Sequence, residues 1–243
     1  MGKMALGYGS EFHLLRWLGR HRTRFTELVC GDRWKNIEWL DFSFADEVIP
    51  DEELLGINFL KGEDFRKVER EFFDGEFAWP RVADRHLMNW DAVGVADDGT
   101  YVLCEAKAHV EEIERKGCGA GEKSARKIRK ALKLPITHFG SSASVDDWFN
   151  SYYQMANRLY TIALLERCGI KAALAYILFI GDCFPGKSRF VCPKKPSGWR
   201  DILDDEYCTL GLNTDNQIVR NHVLEVFVPV MEHKGSTNER EYL

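Results

Sequence analysis

Two acids and a lysine stand out in the stretch Asn89–His109. Asp91 opens one run of small and β-branched residues, Glu105-Ala106-Lys107 closes a second, and Asp97-Asp98-Gly99 lies between them. Hard divalent cations such as Mg²⁺ or Mn²⁺ take oxygen ligands: one or two carboxylates, a carbonyl, water and substrate phosphate. Asp91, Glu105 and the Ala106 backbone carbonyl form such a set. A cation held this way polarises a phosphoryl oxygen and lowers the pKa of bound water. Lys107 is then suited to orient that water or offset charge in the transition state.

Whether these residues meet depends on the turn. An Asp-Gly pair between strand-forming runs is a hairpin signal. A three-residue loop, with Gly99 in the left-handed position, pairs Ala96 with Thr100 and brings Asp91 opposite Glu105. A two-residue loop slips the ladder by one and sets Asp91 against Ala106. In the first register Asp91, Glu105 and Lys107 share a face with Val93, Val95, Tyr101 and Leu103. The other face carries Ala92, Gly94, Ala96, Val102, Cys104 and Ala106, small enough for a helix to pack closely.

The elements around this hairpin follow from periodicity and caps. Ser10–Val29 reads as an amphipathic helix ended by Gly31, with Glu11 in its first turn, where an acid also complements the helix dipole. Ile37–Phe44 reads as a strand, Pro50 as a helix start, Phe65–Phe73 as a short helix and Gly75–Trp79 as a strand stopped by Pro80. Beyond the hairpin, Val110–Lys116 predicts a short helix and Gly117–Gly121 a mobile connector. Lys123–Leu134 predicts a basic helix stopped by Pro135. Ser144 caps a long helix over Val145–Cys168, with Gly169 past its end. Its polar stripe includes Gln154 and Asn157/Arg158. Ile170–Ile180 has the continuous apolar pattern of a strand buried on both faces, Trp199–Leu212 reads as a helix and His222–Val228 as a strand. Strand, crossover helix and buried strand predict a mixed α/β sheet. One domain spans 1–243, with core elements at 10–29, 89–109 and 144–180 and a polar tail at 232–243.

The 243 residues carry a net charge of −5, with 45% hydrophobic and 29% charged residues. Charge is unevenly spread. Arg115–Lys133 holds eight basic residues against the single acid Glu122, and Lys187–Arg200 holds five and no acid. Lys123, Arg126, Lys127, Arg129, Lys130, Lys187, Arg189, Lys194 and Lys195 are therefore the candidate contacts to a polyanion, with Phe190 and Trp199 as neighbours able to stack on bases. No apolar run reaches the roughly twenty residues of a membrane span. Seven cysteines without a C-x-x-C pair, and an N-terminus without a signal-peptide core, point to reduced thiols and a cytoplasmic protein.

Asp91 followed by Glu105-Ala106-Lys107 at a strand end resembles the signature of the PD-(D/E)XK nuclease superfamily, the restriction-endonuclease-like fold. The resemblance covers 10–29, 90–109 and 144–180, roughly a third of the chain. It implies a mixed β-sheet core flanked by helices in the order α-β-β-β-α-β, with peripheral insertions. It implies Mg²⁺- or Mn²⁺-dependent hydrolysis of phosphodiester bonds in nucleic acid, DNA foremost, and permits, without implying, a homodimer or a larger defence or repair assembly. Asp91 and Glu105 would be ligands, with Glu11 matching an auxiliary ligand that many members carry in the first helix. Gln154 resembles the glutamine of the RecB-type exonucleases, where a tyrosine follows; here Tyr160 comes six residues on, further than is usual. The proline that precedes the first acid in many members is replaced by Trp90.

Two other accounts compete. The same fold can serve as a catalytically inactive module that binds nucleic acid or a protein partner, with the Asp–Glu–Lys set a structural ion pair. A serine or cysteine hydrolase has little support: Ser124-Ala-Arg-Lys127 is an isolated four-residue match in a basic helix, and no Gly-x-Ser-x-Gly elbow is present.

Overall fold

The computed structural model describes residues 7–40, 54–81, 88–183 and 190–231. Within them the first half of the chain runs α1 (Ser10–Arg20), α2 (Arg22–Cys30), β1 (Ile37–Trp39), β2 (Leu54–Leu55), α3 (Gly62–Asp74), β3 (Asn89–Trp90), β4 (Ala92–Ala96) and β5 (Tyr101–Lys107). It continues through α4 (Glu122–Phe139), α5 (Val145–Asn150), α6 (Tyr153–Arg167), β6 (Ala172–Ile180), α7 (Arg200–Thr209), α8 (Gln217–His222) and β7 (Val223–Pro229).

The turn adopts the three-residue register. Gly99 takes φ +83°, a left-handed conformation that costs glycine little. Ala96 and Thr100 face each other through the Ala96 N–H···O Thr100 bond of 2.8 Å. The ladder then runs Val95 with Tyr101 to Ala92 with Cys104. β1 pairs antiparallel to β4 on the outer side, and β5, β6 and β7 run parallel, giving the sheet order β1-β4-β5-β6-β7. Helices α4, α5 and α6 make the crossover that a parallel β5–β6 pair requires.

Side-chain size decides which helices cover which face. Ala92, Ala96, Cys104, Ala106, Ala173 and Ala175 present a shallow surface on which α1 and α2 pack through Leu14, Trp17, Leu18 and Phe25. Val93, Leu103, Leu174 and Leu178 pack on the other face against α4 and α6. Each fully buried leucine or aromatic ring contributes roughly 1.5–3 kcal/mol. β6 is buried along its whole length, as its apolar run requires. Among the described residues no helix is long and apolar enough to cross a membrane, and none of the seven cysteines is in a disulfide.

Several elements depart from the sequence-based expectation. The first helix divides at His21, whose φ of −128° and ψ of 29° are neither helical nor extended. α4 runs through Pro135 to Phe139: the apolar stripe continues past the proline, Phe139 is fully buried, and Gly140 (φ +62°) closes the helix. The long helix over 145–168 is two helices. Tyr152 breaks it in the left-handed conformation (φ 45°, ψ 40°), strained for a bulky residue, held by its buried ring and its hydroxyl bond to Asp205. Residues 75–79 form a turn rather than a strand, tied by Trp79 N–H to the Phe72 carbonyl. The 110–116 segment is helical only as a single 3₁₀ turn, Val110–Glu112. The segment from Trp199 begins in another 3₁₀ turn, and its α-helix, α7, stops at Thr209. Of the strand expected at 37–44 the described part is Ile37–Trp39, while 41–44 and Pro50 lie outside the described residues.

The Candidate active site

Asp91 sits where the chain leaves one sheet for another. Trp90, in β3, pairs with Leu54 of the small β2–β3 sheet, and Ala92 begins β4 of the large one. Between them the Asp91 N–H donates to the Cys104 carbonyl at 3.1 Å. That contact ends the β4–β5 ladder, and among the described residues no strand pairs with Ala106, two residues further along β5, on that edge. The Asp91 carboxylate takes the strand's place: its Oδ2 accepts the Ala106 N–H at 2.6 Å. In a strand the N–H and C=O of one residue leave on the same side, so the Ala106 carbonyl emerges on the edge that Asp91 occupies.

Glu105 and Lys107 point to the opposite face from Ala106, toward the start of α6. The break at Tyr152 and the Tyr153 N–H bond to the Lys116 carbonyl (3.1 Å) set where α6 begins. Gln154 Nε2 donates to Glu105 Oε1 at 2.7 Å while its Oε1 accepts Lys107 Nζ at 2.8 Å. Lys107 Nζ also donates to Glu105 Oε1. One turn along α6, Arg158 places Nε and Nη2 both 2.7 Å from Glu105 Oε2. Its Nη1 donates to Asn157 Oδ1 at 2.9 Å, and its guanidinium lies 4.9 Å from the centre of the Trp90 ring. Glu105, Lys107 and Arg158 are all buried.

Burial pushes the Asp91 carboxyl up to about 8, with the adjacent Glu105 charge adding to the shift and Lys107, the Ala106 N–H and Arg158 opposing it. Glu105 moves the other way. Burial acts against its ionised form, but Arg158 and Lys107 outweigh that and hold it below the usual carboxylate range. Burial likewise opposes the Lys107 charge, and Glu105 and Asp91 more than compensate, holding it above the usual lysine range. Behind these groups lies Glu206 on α7, 2% exposed, with no hydrogen-bond partner for Oε2 among the described residues. Burial raises it to about 8, opposed by Lys107 and by a hydrogen bond from Tyr176 and reinforced by the charges of Glu105 and Glu225.

Asp91, Glu105, Ala106, Lys107 and Gln154 line one open cleft of about 550 Å³. The structure does not bring Glu11 to it. Glu11 is exposed on α1, and the neighbouring Ser10 reaches the cleft, donating to Glu112 Oε1 at 3.1 Å. Glu112, Lys116 and Asn157 are also among the lining residues and were not singled out by the sequence; nor was Arg158, although it stands four residues from Gln154 on the same polar stripe. His109, just past β5, is buried between Glu111 and Glu112 and against the Phe190 ring.

The basic residues separate into two kinds. Lys123, Arg126, Lys127 and Lys130 are exposed along α4. Arg129 is committed to Asp146 at 2.8 Å and to the face of Phe149. Lys194 donates to the Asp182 carbonyl at 2.6 Å, Lys195 is exposed, and Lys187 and Arg189 lie outside the described residues. Trp199 is unable to stack on a base: it is fully buried, its indole N–H bonded to the Phe179 carbonyl. The glycine loop packs at its first end, while Gly119 and Gly121 are exposed. Cys118 N–H bonds the Phe149 carbonyl, and a Cβ on Gly117 would meet the Asn150 backbone at 2.8 Å.

Among the described residues no group of three or more His, Cys, Asp or Glu side chains is placed to hold a metal ion. The donor set is two carboxylates and a backbone carbonyl, which suits a cation that keeps several waters and completes its shell with phosphate oxygens. No protein-family model, curated protein or solved structure matches the chain.

Proposed function

We propose that this chain is a metal-dependent phosphodiesterase acting on nucleic acid, DNA before RNA, on a restriction-endonuclease-like core. The observation that carries this reading is the meeting of Asp91, Glu105 and Lys107 in one open cleft, with Gln154 bridging the latter two. The order of elements supports it: helix, three antiparallel strands, crossover helices, then a parallel strand.

Asp91, Glu105 and the Ala106 carbonyl would hold Mg²⁺ or Mn²⁺, which when bound polarises a phosphoryl oxygen and supplies a more acidic water. Arg158 keeps Glu105 ionised and fixed in orientation. Gln154 holds Lys107 beside the carboxylates, where its ammonium stabilises negative charge that develops on a phosphate in the cleft. The exposed lysines of α4 attract the phosphate backbone, a salt-sensitive contribution.

One observation favours a second reading, an inactive nucleic-acid-binding module: both oxygens of Glu105 are already bonded by Lys107, Gln154 and Arg158. A single experiment separates the two. Plasmid, linear duplex, single-stranded DNA and RNA are incubated with the protein in Mg²⁺ or Mn²⁺, with EDTA and Glu105→Ala as controls. Cleavage abolished by both controls supports the phosphodiesterase. Cleavage that survives either one rejects the metal site, and binding without cleavage supports the module.

A further inference from the structure

The two oxygens of Glu105 face different surroundings. Oε1 is bonded by Lys107 and Gln154, both of which line the cleft, and Gln154 is exposed. Oε2 is bonded twice by Arg158, which is buried and absent from the cleft lining. The guanidinium is held on three sides, by Glu105, by Asn157 Oδ1 and by the Trp90 ring. On the opposite carboxylate, Asp91 Oδ2 is already committed to the Ala106 N–H.

A two-cation site, with ions roughly 3.5–4 Å apart, acts as a clamp on both the attacking and leaving oxygens. Oxygen atoms must be shared between the ions to hold them so close. Here one oxygen of each carboxylate is withdrawn from the cleft by a protein donor, and a fixed positive charge lies behind Glu105. We propose that Arg158 is a positioning residue that limits this site to one divalent cation, bound between Asp91 and the cleft-facing oxygen of Glu105. The inference rests on the phosphodiesterase reading of the same site.

The test is a titration of the full chain with Mn²⁺ alone, followed by calorimetry and electron paramagnetic resonance, for the wild type, Arg158→Lys, Arg158→Gln and Asp91→Asn. One Mn²⁺ per chain is expected in the wild type, without a spin-coupled pair, and none in Asp91→Asn. Arg158→Lys keeps the charge and retains one ion with affinity within about threefold. Arg158→Gln frees Oε2 and removes a repelling charge, so it binds Mn²⁺ at least tenfold more tightly or takes a second ion. A merely structural arginine would change the melting temperature and leave the number and affinity of ions alone, which would overturn the proposal. A coupled Mn²⁺ pair in the wild type overturns it on its own, whether or not the variants fold. Absence of any Mn²⁺ binding overturns the phosphodiesterase reading itself, a result distinct from the two-ion outcome.

Discussion

The Asp91 carboxylate accepts the Ala106 N–H at 2.6 Å, so that a side chain occupies an edge of β5 that a strand would otherwise fill. The same group therefore has a structural bond and a free oxygen to offer. Substitution separates the two roles. Asp91→Asn keeps an acceptor for the amide and, like the carboxyl held up to about 8, is neutral beside Glu105 at pH 7, so urea unfolding at that pH should place it within about 1 kcal/mol of the wild type. Asp91→Ala leaves the amide without its acceptor and should cost about 1–3 kcal/mol. Both should lose divalent-cation binding by calorimetry. Equal stabilities for the two variants would mean that the carboxylate–amide bond contributes nothing.

Lys107 is buried among carboxylates that keep it protonated. Lys107→Met should lower kcat for phosphodiester cleavage by about 10²–10³-fold, the usual effect of deleting one transition-state donor, with KM within a few-fold of the wild type. Steady-state kinetics on a short fluorogenic duplex measures both. A rise in KM with kcat unchanged would assign Lys107 to substrate binding instead.

Glu206 makes stability depend on pH. Its carboxyl, raised from 4.5 to about 8 in the folded protein, keeps its proton there while the unfolded chain releases it. Stability should therefore fall as pH rises from about 4.5 to about 8, because the folded state binds more protons across that interval. Glu206→Gln removes this contribution. It should be more stable than the wild type at pH 8 by about 4 kcal/mol and nearly equal to it at pH 4.5, as read by urea unfolding at the two pH values. Asp91, shifted in the same direction, leaves a residual slope in the variant.

The exposed lysines of α4 should govern affinity rather than chemistry. Reversing Lys127 and Lys130 to glutamate should weaken DNA binding at 0.1 M salt and lower the slope of log K against log[salt] by about 0.9 per lost phosphate contact. Fluorescence anisotropy across a salt series checks this. Reversing Arg129, which holds Asp146 and Phe149, should instead reduce stability.

The hairpin was legible because its information is local: an Asp-Asp-Gly turn and the alternation of small and large residues fix register and faces together. β6 was legible for the same reason, since a continuous apolar run needs burial on both sides. The partners of Glu105 were less so. Gln154 and Arg158 lie 49 and 53 residues from it, and their meeting depends on where α6 begins. That start is set by a left-handed Tyr152, a conformation that side-chain pattern does not reveal. A helix read straight through 145–168 leaves Arg158 as one more polar residue on a solvated stripe. Glu11 and Glu112 show the converse. The first had the position in sequence and the second the position in space, because the turn after β5 folds back over the cleft.

The break at Tyr152 also bears on the order in which this protein folds. The β4–β5 hairpin brings Asp91 beside Glu105 through contacts 15 residues apart, which close early. Alone, that hairpin holds two carboxylates together with only Lys107 to balance them. Arg158 arrives on α6 after a much longer loop has closed. The hairpin is thus electrostatically frustrated until the crossover helices dock, and the cleft is completed late in folding. Arg158 should accordingly influence the unfolding rate far more than the folding rate.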